Sequence, residues 1–174
     1  DGLRPGLSYL ILHPAVDTPE LRAIAPDWRC RVADHEAFSD AGLRRYVEDS
    51  FVVKDWFELS LAQNLVSDGL LYPLLFGKFD EQLSAAGHGQ VGMLTEFMRL
   101  WFGETQRWVD ALVKTVAAES PANRELLERW IATWRGRALE ALAPLAAIGP
   151  GHEALQAVDN EFGARLKKLG LTGA

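Results

Sequence analysis

Residues 43–76 read LRRYVEDSFVVKDWFELSLAQNLVSDGLLYPLLF, and this stretch decides how the rest of the chain is arranged. Leu43, Tyr46, Val47, Phe51, Trp56, Phe57, Leu61, Leu65, Leu70, Leu74 and Leu75 recur at roughly helical spacing. They are too many for the single apolar stripe of a surface helix, and a helix that is apolar on most sides has to be covered on most sides. Other helices of the chain are expected to cover part of it, and a partner subunit the rest. Asp55, Glu58, Asn64 and Asp68 are the polar exceptions. Carboxylates on an otherwise buried helix point either to a metal site or to structural hydrogen bonding. Pro73 is expected to kink or end the helix near Leu71 and Tyr72, because it lacks an N–H and clashes one turn back.

Downstream the chain reads as helical throughout. Gly77, Gly87, His88 and Gly89 mark a turn, and a second long helix is expected from about Gln90 to Glu119. Val91, Leu94, Phe97, Met98, Trp101, Trp108, Leu112 and Val116 form its apolar stripe, with Asp110 and Lys114 paired one turn apart on the exposed side. Ser120 and Pro121 restart a helix as N-cap and first position, and Leu127, Trp130, Ile131, Trp134, Ala138, Leu142 and Leu145 form its apolar face. Gly149-Pro150-Gly151 breaks it. A last helix carries Leu155, Val158, Phe162, Leu166 and Leu169, with Lys167 and Lys168 in its final turn and Gly170 as C-cap. Long helices joined by short loops predict antiparallel, bundle-type packing.

The first forty residues differ. Leu7 to His13 is a short apolar run between Pro5-Gly6 and Pro14, and it reads as one buried strand. Thr18, Pro19 and Glu20 open a short helix that Pro26 stops. Residues 28–38 read as neither helix nor strand by preference. A lone strand needs a sheet, and no second strand is evident. The expected fold is therefore mostly α, a partial helical bundle preceded by a short segment with one strand and one short helix.

Composition bounds the function. A chain of 174 residues is one domain's worth, and 48% hydrophobic content with six Trp is enough for a core. The net charge of -6 argues against a nucleic-acid or anionic-membrane surface. One cysteine, Cys30, excludes an internal disulfide and fits a reducing, cytoplasmic setting. Asp55, Glu58 and Asp68 interrupt the best candidate for a membrane span. The chain begins at Asp1 rather than Met, which fits a fragment.

A di-iron site in a helical bundle needs Glu-x-x-His, which projects carboxylate and imidazole from one face. Leu10, Val32, Ala85 and Gly149 stand three residues before His13, His35, His88 and His152, so none of the four completes that motif. Glu58 and Glu96 face one another across two helices in the metal reading; carboxylates satisfied by Arg or backbone are the alternative. Asp55, Glu58, Glu96, Arg99, Glu104 and Arg107 would supply such a network or a partner-facing side. Cys30 between Arg29 and Arg31 lacks a placed base, and Gly87-His88-Gly89 lacks the strand and lysine of a phosphate loop. His13, at the end of the strand, is the one candidate for catalysis; strand ends are where α/β barrels place catalytic groups.

Two resemblances follow from these segments. LRRYVEDSFVVKDWFELSLAQNLVSDGLLYPLLFGKFD, MLTEFMRLWFGETQRWVDALVKTVAAESPANRELLERW and ARLKKLGL closely resemble the C-terminal part of the β-subunit of bacterial multicomponent phenol hydroxylases, relatives of toluene and methane monooxygenases. The match runs from about Gly42 to Leu171. It implies a ferritin-like helical subunit that lacks iron ligands, in a complex whose catalytic α-subunit holds the di-iron centre. Reductase and small regulatory proteins complete such systems, which oxidise phenols with NAD(P)H and oxygen. The resemblance implies no catalytic, cofactor or metal residue in this chain.

PGLSYLILHPAVDTPELRAI and DWRCRVADHEAF, within residues 1–41, resemble the C-terminal end of YdjC-like carbohydrate deacetylases, metal-dependent α/β-barrel hydrolases, with His13 as the active-site histidine. That family's Asp-Asp motif and metal-binding histidines have no counterpart here. The expected organisation is thus a deacetylase-like tail over 1–41 and a truncated, non-catalytic hydroxylase β-subunit over 42–174, joined as a chimera. An isolated chain of this kind is expected to leave one bundle face uncovered and to be poorly soluble. The alternatives are an inactive deacetylase fragment and a generic interaction bundle.

Overall fold

The computed structural model describes residues 15–172, apart from the side chains of Ala37 and Phe38. The chain divides into two compact units, Asp1–Asp40 and Ala41–Ala174. The strand read at Leu7–His13 lies outside the described residues.

In the first unit, α1 (Pro19–Ile24) begins as its cap chemistry dictates. Thr18 Oγ1 accepts from Leu21 N at 3.1 Å, and Pro19 occupies the first helical position. The ambiguous residues that follow form α2 (Trp28–Phe38), anchored to the preceding segment by Ala15 N donating to Arg31 O at 3.0 Å. Its Trp28 ring is flanked by the guanidinium groups of Arg22 and Arg29, 4.8 and 4.9 Å from the centroid.

The second unit is entirely helical among its described elements. Residues 43–76 do not form one helix. α3 (Ala41–Phe51) ends at Phe51, and Asp55 starts a new helix by accepting from Phe57 N at 2.8 Å and Glu58 N at 3.4 Å. That helix, α4, is continuous over residues 56–85, and two of its segments, Leu61–Ser67 and Leu74–Phe79, are π-helical. Pro73 neither ends it nor breaks it. The wider π-helical spacing begins at Leu74, immediately after the proline, and accommodates a ring that a regular α-helix rejects.

Helix α5 (Gln90–Glu119) runs to Ser120, whose hydroxyl accepts from Asn123 N at 3.0 Å and caps α6 (Pro121–Ile148). One residue separates the two helices, which pack on each other. α7 (His152–Lys168) closes the bundle, and Gly170 at φ 77° ends it in the left-handed conformation. α4 is the central element: it packs on α5, α6 and α7, while α3 packs on α6 and reaches the first π-helical segment through Tyr46.

Leu61, Leu65, Val66, Leu70 and Leu74 of α4 are buried with Leu127, Ile131 and Trp134 of α6 and Leu155, Val158, Phe162 and Leu166 of α7. The surplus apolar surface therefore does not lie along α4. It sits on Phe51 and Val52, on Trp56 at the very start of α4, and on α5, where Leu94, Phe97 and Trp101 of the first half and Trp108 just beyond the midpoint are exposed although they belong to the expected core stripe. The buried face of α5 is instead Val109, Val113 and Ala117, all in its second half, while the first half meets α4 through Thr95 and Phe102.

Candidate functional site

Several polar groups inside the bundle are paired with one another. Arg165 stands within the apolar stripe of α7, one turn after Phe162, with its side chain 10% exposed. It donates to Asp110 Oδ1 on α5 from Nε at 2.9 Å and Nη2 at 2.7 Å. Its Nη1 is buried without a hydrogen-bond partner. Asp68 on α4 feels the same guanidinium. Burial pushes its carboxyl up to about 6, and the Arg165 charge pulls the other way. Burial, with the Asp68 charge adding to it, likewise pushes the Tyr72 hydroxyl up.

A close approach of α4 and α7 makes this cluster. A Cβ on Gly69 would stand 2.9 Å from Phe162 Cε2 and 3.1 Å from Arg165 Nη1, tighter than side-chain atoms tolerate. Glycine is what lets the guanidinium reach across. The space is filled by protein atoms rather than left for a ligand.

A second polar seam joins α3, α4 and α6. The Trp134 indole donates to Glu58 Oε1 at 3.0 Å, and Tyr46 packs edge-on against the Trp134 ring at 5.3 Å. The Tyr46 hydroxyl donates to Ala62 O at 2.8 Å, inside the first π-helical segment. Burial raises the Tyr46 hydroxyl well above its usual range. Further out, Thr95 Oγ1 donates to buried Asp80 at 2.6 Å, and Arg135 Nε donates to Asp159 at 2.6 Å.

The residues singled out from sequence fall as follows. Glu58 is turned to α6, while Glu96 is exposed on α5, so they do not form the facing pair of the metal reading. Asp55 is an N-cap, and Glu104 pairs with Arg107 on the surface. Asp110 is not on an exposed side with Lys114; it is the acceptor for Arg165. His88 and His152 are exposed near helix ends, Cys30 is an exposed free thiol, and His13 lies outside the described residues. Arg165 was missed. Its signal was its place in the stripe Val158, Phe162, Leu166, Leu169, where a charge needs a buried partner.

The methane and phenol hydroxylase resemblance implies a di-iron centre somewhere in the assembly. The interior residues of this chain do not fit one. Asp110 is taken up by Arg165 and Glu58 by Trp134, and a fixed guanidinium occupies the interior beside Asp68. Among the described residues no group of three His, Cys, Asp or Glu side chains is placed to hold a metal ion. No helix among them is long and apolar enough to cross a membrane.

Over 130 residues, 75% of this chain, it is 59% identical to the phenol 2-monooxygenase oxygenase component DmpL of Pseudomonas sp. (strain CF600). The match spans 39% of that relative, so the chain covers about two-fifths of its length. The crystal structure of xenon-pressurized phenol hydroxylase from Pseudomonas sp. OX1 superimposes with a TM-score of 0.75 at 45% identity, covering 84% of this chain and 44% of that one. The fold is thus the helical, ferritin-like fold of these hydroxylases. A stretch of 47 residues, 27% of this chain, is 49% identical to a carbohydrate deacetylase of Thermus thermophilus, of which it spans 17%. The family model for methane/phenol/alkene hydroxylases matches residues 25–120, and the chain belongs to that family.

Proposed function

We propose that this chain acts as a non-catalytic, β-type subunit of a multicomponent phenol or aromatic monooxygenase, supporting a catalytic subunit that holds the di-iron centre. One observation carries the reading: in a family of iron-dependent bundles, the interior carboxylate Asp110 is neutralised by an arginine from the facing helix. A guanidinium fixed at that depth satisfies the acid without a metal and repels a cation brought near it. The bundle is then a scaffold, and the exposed groups Phe51, Val52 and Trp56 are available to helices of another chain.

In this reading the NAD(P)H-linked oxidation of a phenol takes place in a partner, in the cytoplasm, with a reductase and small regulatory components attached to the complex. The deacetylase reading rests on a segment that is 17% of its relative, and His13 would need metal-binding partners that such a segment does not bring. The test is co-expression with the catalytic subunit of a phenol 2-monooxygenase, followed by affinity capture and iron analysis of each chain. Capture of the catalytic subunit, with iron confined to it, is expected. Stoichiometric iron in this chain alone, or no capture, overturns the proposal.

A further inference from the structure

The Arg165 guanidinium is only partly used. Its Nε and Nη2 both bond to Asp110 Oδ1 on α5, while Nη1 is buried and bonds to nothing among the described residues. A buried N–H without an acceptor is costly, and more so on a charged group. Nη1 lies against α4, where an ideal Cβ on Gly69 would stand 3.1 Å from it. The residue before Gly69 is Asp68, which is half-buried. No hydrogen bond or ion pair among the described residues engages the Asp68 carboxylate, although it feels the Arg165 charge. A donor without an acceptor and an acceptor without a donor therefore stand on two packed helices, beside the same glycine.

The charge on Asp68 decides whether the two join. A carboxylate takes a charge-assisted bond from a guanidinium, roughly twice as strong as the bond a neutral carboxyl accepts. The other groups around Asp68 do not compete for it. On α3, the Tyr46 hydroxyl feels the Asp68 charge but is already given to Ala62 O. On α4 itself, Tyr72 feels the same charge. On α6, Arg137 acts on Tyr46 and is paired with Asp49 of α3. On α5, Asp110 is held by Nε and Nη2, so it leaves Nη1 unclaimed. Arg165 of α7 is the charge that acts on the Asp68 carboxyl.

We infer that Arg165 is a counter-ion shared by two acids: when Asp68 is ionised, the free Nη1 closes on its carboxylate while Nε and Nη2 keep Asp110, and when Asp68 is protonated that third bond is released. The closed form ties α4, α5 and α7 through one guanidinium, and the open form leaves α4 out of the tie. The tie forms as pH rises through the Asp68 titration near 6 and is lost as pH falls through it. Burial outweighs the Arg165 charge at this carboxyl, so the tie offsets part of the cost of ionising Asp68 without reversing it. The inference goes beyond the functional reading and leaves it standing, because Asp110 stays neutralised in both forms.

NMR titration of the full chain with isotope-labelled arginine and aspartate, from about pH 4.5 to about pH 7.5, follows both partners without any substitution. The Nη1 protons of Arg165 are expected to shift with the same midpoint as the Asp68 carboxyl, and their exchange with solvent to slow about tenfold as that carboxyl ionises. The Nε proton is expected to keep its hydrogen-bonded shift throughout. Asp68→Asn is expected to abolish the Nη1 response and to leave Nε on Asp110. Four results overturn the inference: an Asp68 carboxyl that keeps one charge state over the whole range, Nη1 protons that stay unchanged while it titrates, an Nη1 response that survives Asp68→Asn, or an Nε proton that leaves Asp110 as Asp68 ionises. The last would mean that the guanidinium swaps acids instead of holding both.

Discussion

Arg165 reaches from α7 to α5 and gives two hydrogen bonds to a single oxygen of Asp110, at 2.9 Å from Nε and 2.7 Å from Nη2. The pair crosses the interior between helices that are distant in sequence, so it fixes how α7 seats on the bundle. Removing one partner leaves the other charge half-buried and unpaired, which costs more than the intact pair contributes. Arg165→Met is expected to destabilise the protein by about 2–3 kcal/mol in urea unfolding, at the lower end for a buried pair because Asp110 is partly exposed. A double replacement, Asp110→Leu with Arg165→Met, is expected to recover most of that loss, because it removes the stranded acid as well.

Asp68 makes stability depend on pH with an unusual sign. Burial raises its folded pKa to about 6, above the 3.8 of a free aspartate side chain. The folded state therefore binds this proton more tightly than the unfolded state. Below about pH 4 the group is protonated in both states and costs nothing; as pH rises from about 4 to about 6 the unfolded state ionises first, and stability falls. Above pH 6 the full penalty, on the order of 2–3 kcal/mol, is in place. Asp68→Asn is expected to raise the melting temperature at pH 7.5 and to abolish this component of the pH 4–6 slope. A variant less stable than the parent at pH 7.5 would contradict the assignment.

The hydroxyl of Tyr46 ties α3 to the backbone of α4. It donates to Ala62 O at 2.8 Å, within the π-helical segment Leu61–Ser67. Where a helix changes its hydrogen-bond spacing, carbonyls at the change lack their usual partner and need another. Tyr46→Phe keeps the ring against Trp134 and removes only that donor. A loss of about 1–2 kcal/mol is expected. Amide exchange should accelerate over residues 61–67 before it does elsewhere in α4. Uniform acceleration along the helix would mean that the hydroxyl has no special hold on this segment.

The parts of the fold legible in the sequence were those governed by local chemistry. Thr18, Ser120 and Gly170 cap as their side chains or backbone freedom dictate, and Gln90–Glu119 is bounded as the flanking turn residues require. The parts that were not legible depend on what lies opposite. Leu94 and Phe97 carry the same periodicity as Val109 and Val113, yet the first pair is exposed and the second buried. Periodicity shows that a face is apolar, not which neighbour covers it. Asp110 next to Lys114 in register reads as a surface pair, and only Arg165, fifty-five positions on, makes it interior. Pro73 signals a break, but the π-helical spacing that absorbs it has no single-residue signature. The scaffold reading leans on the same contact of Arg165 with Asp110, which the sequence alone does not reveal.

Gly149 shows how tightly the ends of α4 and α6 are joined. An ideal Cβ at Gly149 would fall within the ring of Phe79, the last residue of the second π-helical segment. The φ of this glycine, -133°, is not in the left-handed region, and the requirement that the structure shows directly is one of space. Gly149→Ala must push the Phe79 ring aside, and overpacking of this kind costs about 1–3 kcal/mol. Removing the ring should relieve it. Phe79→Ala alone loses apolar packing, but in the Phe79→Ala background the added methyl at 149 has room and is expected to cost less than about 0.5 kcal/mol. Unfolding midpoints of the two single variants and the double variant close that cycle. Additive losses would mean that the ring yields freely and that the two residues do not hold α4 against the end of α6.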